Sequence, residues 1–221
     1  RLGFAGNLRE DLDGDRFTPL IPAACAEYLL TRSGSVLLKA SVARNYRYPT
    51  LNDLYFMPGG NDSLRSEKGF TYDGGIEFTL KNNRITFHGE ATVYDSYVKA
   101  WIVWLPTHKG FWTPRNVKKV HSYGLELKAR LDADLGRDWS MILLGNYAVT
   151  RSVNRGDAVN WSDQAIGKQL VYIPEYSSAV TGRLHWRRWE LTYKWNYYSE
   201  RYTTSSNEVL TKLGTIAPYY M

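Results

Sequence analysis

The sequence predicts an all-β protein whose antiparallel strands form the wall of a transmembrane β-barrel, and three observations carry that expectation. Residues 189–202, WELTYKWNYYSERY, place Trp189, Leu191, Tyr193, Trp195 and Tyr197 on one face and Glu190, Thr192, Lys194, Asn196, Tyr198 and Glu200 on the other. A period of two marks a strand, because successive side chains point to opposite sides of the sheet. Such stretches are also long: an ordinary strand has ~5–6 residues, whereas one tilted across a bilayer needs ~9–11. Finally, tight polar turns alternate strictly with wide connections along the chain. Outer-membrane barrels do this, with short periplasmic turns and long extracellular loops. A soluble sandwich has no reason to segregate loop length to one end.

Taken in order, the strands are expected near 2–11, 19–31, 35–47, 67–80, 85–99, 117–133, 139–151, 169–186, 189–202 and a short last one near 214–221. The tight turns are Arg32-Ser33-Gly34-Ser35, Lys81-Asn82-Asn83-Arg84, the stretch 134–138 and Arg187-Arg188, each supplying Gly, Asn or charge where a hairpin reverses. The wide connections are 48–67, 105–116, 152–168 and 203–213, with a shorter one at 11–18. In 85–99, Ile85, Phe87, Gly89, Ala91 and Val93 form the candidate lipid face against Thr86, His88, Glu90 and Thr92. In 120–132, Glu126, Lys128 and Arg130 share a row that suits a lumen, since facing lipid each would cost a few kcal/mol near the midplane. Met141-Ile142-Leu143-Leu144 is apolar on both faces, so its register stays open. Trp186 and Trp189 flank the Arg187-Arg188 turn, as an interfacial aromatic belt or a hairpin packed on a core would have it.

Composition agrees. The 221 residues suit one large all-β domain. Mean hydropathy is −0.43 and no apolar run approaches the ~20 residues of a membrane helix. A barrel escapes that test because half of each strand faces a polar lumen. Aromatics reach 14% (8 Trp, 17 Tyr, 7 Phe), and Trp and Tyr favour membrane interfaces. Cys25 is the single cysteine, so no internal disulfide forms. The net charge of +6 suits anionic lipid phosphates or an acidic ligand. Arg1 already lies within a strand pattern and Met221 follows a new one at Tyr219-Tyr220, so the chain reads as a portion of a longer one.

Residues 44–68, RNYRYPTLNDLYFMPGGNDSLRSEK, resemble the C-terminal barrel of TonB-dependent outer-membrane receptors. The family stretch Arg/aromatic-x-Pro-(Thr)-x-x-(Asp/Glu)-Leu-Tyr, then Gly-Asn, Leu and Pro-Glu, reads here as Arg47, Pro49, Thr50, Asp53, Leu54, Tyr55, Gly60, Asn61, Leu64 and Glu67, with Ser66 in place of the second Pro. A second landmark is Val93-Tyr94-Asp95, Asn116 and Gly124-Leu125-Glu126-Leu127, and a third is Gly167-Lys168, Leu170, Tyr172 and Pro174. The landmarks stand in the family's order and spacing. The resemblance implies a barrel of ~22 strands with a plugged lumen, in the outer membrane of a Gram-negative bacterium. Residues 1–221 would then be the C-terminal part of that barrel, about ten strands, with the plug domain, signal peptide and terminal strand outside it.

It implies further that ligand binds at the outer face and that energy arrives from the TonB–ExbB–ExbD complex. The function expected is active uptake of a scarce chelate such as a ferric siderophore, cobalamin or haem. The alternatives are a passive porin-like or structural barrel, or a polysaccharide-importing member of the same superfamily. Such a wall performs no bond chemistry, so no enzyme activity, cofactor or nucleic-acid partner is expected. His88, His108, His121 and His185 lack metal-ligand spacing, and no G-x-S-x-G occurs. Candidate ligand contacts are Tyr48, Tyr55 and Phe56 in one wide connection and Trp104, His108, Lys109, Phe111, Trp112 and Arg115 around another. Aromatics beside cations suit a flat anionic aromatic chelate, or else a membrane belt whose cations hold lipid phosphates. For the Arg47–Asp53–Tyr55 stretch a structural role is favoured, with Pro49 ending the ladder and the segment folding back on the rim.

Overall fold

The computed structural model describes residues 1–13, 16–107, 109–156, 164–208, 215–216 and 219–220. Its elements are β1 (Leu2–Arg9), β2 (Leu12–Asp13), β3 (Arg16–Phe17), β4 (Ile21–Leu29), β5 (Val36–Arg47), α1 (Leu51–Tyr55), β6 (Glu67–Lys81), β7 (Ile85–Pro106), β8 (Trp112–Gly136), β9 (Trp139–Asn154), β10 (Tyr176–Trp186), β11 (Trp189–Tyr198), β12 (Arg201–Tyr202), β13 (Thr215–Ile216) and β14 (Tyr219–Tyr220). Ten strands form one antiparallel sheet in the order β1-β4-β5-β6-β7-β8-β9-β10-β11-β14, so neighbours in the sheet are neighbours along the chain. The pairs β2–β3 and β12–β13 stand apart from it. Among the described residues no helix is long and apolar enough to cross a membrane, which says nothing about crossing by strands.

The sheet is a single layer, and its burial shows it. Few apolar side chains are buried (Ile21, Ile102, Val120 and Val153 among them), while Phe4 is 76%, Leu191 67% and Val93 58% exposed. A soluble domain cannot leave so much apolar surface in water, but a wall in lipid can. Register carries one apolar face across the strands. Phe4 faces Ala26, Tyr28 faces Leu38, Leu38 faces Ile76, Ile76 faces Ala91, Ala91 faces Leu127 and Leu127 faces Tyr147. The open register of 141–144 is settled by the pairs Leu131–Leu143 and Arg130–Leu144. Met141 and Leu143 join the apolar face, while Ile142 and Leu144 lie on the polar one beside Asp132 and Arg130.

The polar face is laced with ion pairs. Lys39 meets Glu77, Lys128 lies 3.7 Å from Glu90, Arg130 bonds Asp132 at 2.7 Å and Arg183 lies 3.5 Å from Glu190. The Glu126–Lys128–Arg130 row therefore stands on the face expected of a lumen.

At one end of the sheet the connections are tight. Arg137 (φ 52°) and Asp138 (φ 66°) both take the left-handed conformation that a two-residue hairpin turn requires, and Arg187 (φ 54°) does so in the next hairpin. Trp139 and Trp186 stack across that end with centroids 5.3 Å apart, and the Arg187 guanidinium lies 5.4 Å over the Trp186 ring.

Several boundaries differ from the sequence expectation. The strand expected over 189–202 ends at Tyr198, with Arg201–Tyr202 turned aside to pair with Thr215–Ile216, and of the last strand expected near 214–221 Tyr219–Tyr220 joins the main sheet. The strand expected from 169 begins at Tyr176. Pro174 cannot donate to a ladder, and before it Gln169 is turned aside, its side chain accepting from Ser152 N at 2.9 Å and its backbone N–H donating to Asn207. The wide connection 48–67 contains the helical turn α1. Most of the expected loop 105–116 is strand: β7 has 22 residues and β8 has 25, paired to their tips at Pro106 and Trp112. Spanning length alone would end β7 near residue 99. The β-prone residues Trp101–Trp104 and Trp112–Thr113 continue it instead. At ~3.3 Å per residue the paired strands form an arm that extends well past any bilayer.

Candidate functional site

The landmark residues gather at the base of this arm. Thr50 caps α1: its hydroxyl accepts from Asp53 N at 3.1 Å, while Asp53 Oδ2 accepts from Thr50 N at 2.9 Å and from the Thr50 hydroxyl at 2.8 Å. This reciprocal capping box satisfies donors that the start of any helix leaves open. Asp53 does more than cap, because its other oxygen accepts from the Trp104 indole N–H at 2.9 Å, across to β7. Arg47 Nη2 reaches the same carboxylate at 3.1 Å and its Nη1 lies 3.6 Å from Glu67. Glu67 in turn accepts from Ile102 N at 2.8 Å.

Asp53 is 4% exposed. Burial pushes its pKa up, but the Thr50 backbone and hydroxyl bonds, the Trp104 N–H and the Arg47 charge outweigh that and hold it below the ordinary 3.8.

Two asparagines complete the attachment. Asn61 donates to Pro114 O at 3.1 Å. Asn116 accepts from Arg65 N at 2.9 Å and donates to Arg65 O at 2.9 Å and Ala100 O at 2.6 Å. That last bond holds a non-glycine residue at φ 57°, a conformation that costs ~1–2 kcal/mol for an L-residue. Gly59 permits the close approach: a Cβ there would lie 1.9 Å from Trp112 O. At Gly60 a Cβ would meet Phe56 N at 2.6 Å.

Of the sequence-predicted landmarks, Arg47, Asp53, Gly60, Asn61, Glu67 and Asn116 come together here, with Pro49 and Leu54 in the same folded-back segment. Gly124 and Glu126 lie farther down β8. Gly124 leaves room for Tyr94, whose hydroxyl donates to Thr150 at 3.1 Å. Pro174 precedes β10.

The ligand candidates divide. Tyr55 (65% exposed), Phe56 (49%) and Trp112 (43%) are presented outward, as are Lys109 and Arg115. Phe56 packs edge-on against Trp104 at 5.7 Å, so Trp104 is held from both sides. Tyr48 packs edge-on against Tyr46 at 5.2 Å, and Phe111 is half-buried at the arm's tip. His108 lies outside the described residues. Sequence reasoning missed Gly59 and Ala100 as structural positions. The Thr-x-x-Asp spacing of Thr50 and Asp53 was the signal that announces α1. Among the described residues no three His, Cys, Asp or Glu side chains gather as a metal site.

A single-layer wall with lipid-type and lumen-type faces, tight turns at one end and a braced aromatic rim at the other, has the form of part of a transmembrane β-barrel wall. The chain matches the family "TonB dependent receptor-like, beta-barrel" over residues 4–221, and it belongs to that family.

It is 24% identical over 227 aligned positions to the vitamin B12 transporter BtuB of Photobacterium profundum, covering 99% of this chain and 34% of that protein. A BtuB of Vibrio vulnificus is 32% identical over 91 residues, 41% of this chain and 14% of that one. The ferric enterobactin receptor PfeA of Pseudomonas aeruginosa superposes with a TM-score of 0.65 at 20% identity, covering 99% of this chain and 34% of that one. The chain thus spans about a third of the length of the Photobacterium transporter and of PfeA.

Proposed function

We propose that this chain forms part of the wall and outer rim of an active transporter in the outer membrane of a Gram-negative bacterium. The cargo is a scarce chelate, a cobalamin or a ferric siderophore. The observation that supports this reading is the rim itself. Asp53 and Asn116 brace the 48–66 segment against the β7–β8 arm, and Tyr55, Phe56 and Trp112 stand exposed there, as do the cations Lys109 and Arg115. Rings and cations held in place before binding lose little freedom when a chelate packs on them. No residue of this chain makes or breaks a bond in that scheme. Capture is by the rim, and passage follows displacement of a plug domain by the TonB–ExbB–ExbD complex. Cobalamin is the first cargo to test because the named sequence relatives are vitamin B12 transporters.

The test is growth of a strain lacking its own receptors, expressing the full-length protein, on limiting cobalamin or on a ferric catecholate. Rescue by one of them that disappears when TonB is deleted supports the proposal. Rescue that survives without TonB would indicate a passive channel. No rescue by either, with the protein present in the outer membrane, would overturn the assignment to these chelates.

A further inference from the structure

On the apolar face, at the end of the sheet that carries the wide connections, a cavity of about 460 Å³ is ringed by Arg44, Lys68, Lys99, Lys119 and Arg155. Their placement follows from register. Lys68 lies opposite Lys99 and Lys99 opposite Lys119, while Arg155 donates its backbone N–H to Lys119 O. Three lysines thus stand directly opposite one another on adjacent strands, an arrangement that destabilises a sheet when nothing neutralises it. Among the described residues none of Lys68, Lys99, Lys119 and Arg155 pairs with a carboxylate, and Arg44 donates only to Leu20 O. The nearest acid below them on β7, Asp95, is engaged by His121 at 2.9 Å.

The cavity floor is aromatic. Phe70 and Tyr97 face each other across β6 and β7 and are 46% and 52% exposed. Both continue the row that runs down through Tyr72 and Ile76 to the lipid-facing band. The cations therefore point away from the lumen and the rim, at the depth where an aromatic belt meets headgroups.

We propose that this basic cluster holds the headgroup of an outer-leaflet lipid that carries at least two phosphates, with its acyl chains lying down the wall past Phe70 and Tyr97. Two or more phosphates are required by span. From Lys68 on β6 to Arg155 after β9 is three strand spacings, ~14 Å, more than one phosphate can bridge. The inference rests on the membrane placement of the wall and is independent of which chelate the rim captures.

The experiment uses the full-length protein, purified in detergent and offered diphosphoryl lipid A, monophosphoryl lipid A or phosphatidylcholine, with retained lipid counted by native mass spectrometry. The variant Lys68→Gln/Lys99→Gln/Lys119→Gln is compared with Lys81→Gln/Arg188→Gln/Lys194→Gln, which removes equal charge elsewhere. Each basic residue near a membrane surface adds ~1 kcal/mol, so the first variant should bind diphosphoryl lipid A about 100-fold more weakly. The second variant should match the unmodified protein, and removing one phosphate from the lipid should weaken retention in both of these but not in the first variant. Equal retention by both variants would overturn the proposal, as would full displacement of the lipid by inorganic pyrophosphate, which would mark a soluble-anion site. Chelate uptake, measured on the same proteins, should persist in the first variant. No uptake by the unmodified protein, with lipid retention in both variants as expected, would count against the transport reading alone.

Discussion

Replacing Asp53 by alanine is expected to release residues 48–66 from the β7–β8 arm while leaving the sheet intact. Three contributions set the magnitude. Loss of the Thr50–Asp53 capping box costs about 1 kcal/mol. The bond from Trp104 N–H to a buried carboxylate, at 2.9 Å, is of the charge-assisted kind and contributes about 1.5–3 kcal/mol. The Arg47 ion pair contributes at most about 1 kcal/mol, because the Arg47 side chain is 49% exposed and screened by water. The sum is about 2.5–5 kcal/mol, and the Trp104 bond is its largest part. An equilibrium shift of that size raises the open population of the segment by about two orders of magnitude or more. Hydrogen exchange read by mass spectrometry should show it as lost protection in 48–66 with β5 and β6 unchanged. Asp53→Asn, which keeps one acceptor oxygen, should fall between the two. Protection unchanged in Asp53→Ala would refute the bracing argument, and protection lost equally across β5 and β6 would show that the carboxylate supports the sheet itself. The same carboxylate predicts an acid limit. Its folded pKa lies below the ordinary 3.8, so its contribution is complete above that value and fades as pH falls through the depressed one. Pepsin should therefore cleave within 48–66 increasingly below pH 3.8 in the unmodified protein, and without that pH step in Asp53→Asn.

Substitutions at three other places extend the test. Leu143 and Leu144 are equally exposed, 40% and 39%, yet face opposite sides. Leu143→Arg should destabilise the membrane-inserted protein by about 2–4 kcal/mol and Leu144→Arg much less, read from urea unfolding in lipid vesicles; equal effects would reject the register. Gly59→Ala puts a Cβ 1.9 Å from Trp112 O, so it should unseat α1 from the arm and expose 48–66 to protease as Asp53→Ala does. Ala100→Gly relieves the strain at φ 57° and should raise the unfolding midpoint, by about 1 kcal/mol of stability, whereas Ala100→Val should lower it.

The wall was legible because its physics is local. Alternation in 85–99 and 120–132 assigns faces residue by residue, and the structure pairs those faces as read. Where both faces are apolar, at 141–144, alternation carries no information and only the partner strands decide. The β7–β8 arm was missed because strand length was judged against a bilayer, and nothing in membrane thickness limits a hairpin beyond it. The rim network was half legible. Thr50 and Asp53 announce a helix start by their spacing, but the Trp104–Asp53 and Asn116–Ala100 bonds depend on how the arm passes the segment, which a single chain of letters does not encode. The beginning of β10 was misplaced for a related reason, since Gln169 is held by Asn207, 38 residues on.

Because strand order in the main sheet follows chain order throughout, each tight turn closes a hairpin that is complete before the next is made. The wide connections that remain, between β5 and β6 and between β9 and β10, thus divide the wall into β4–β5, β6–β9 and β10–β11, with the β7–β8 arm inside the middle group. A break in the backbone between β5 and β6 or between β9 and β10 would sever no hairpin turn. The wall is in that sense a row of staves, which can be grown, split or spliced at one rim without disturbing the other.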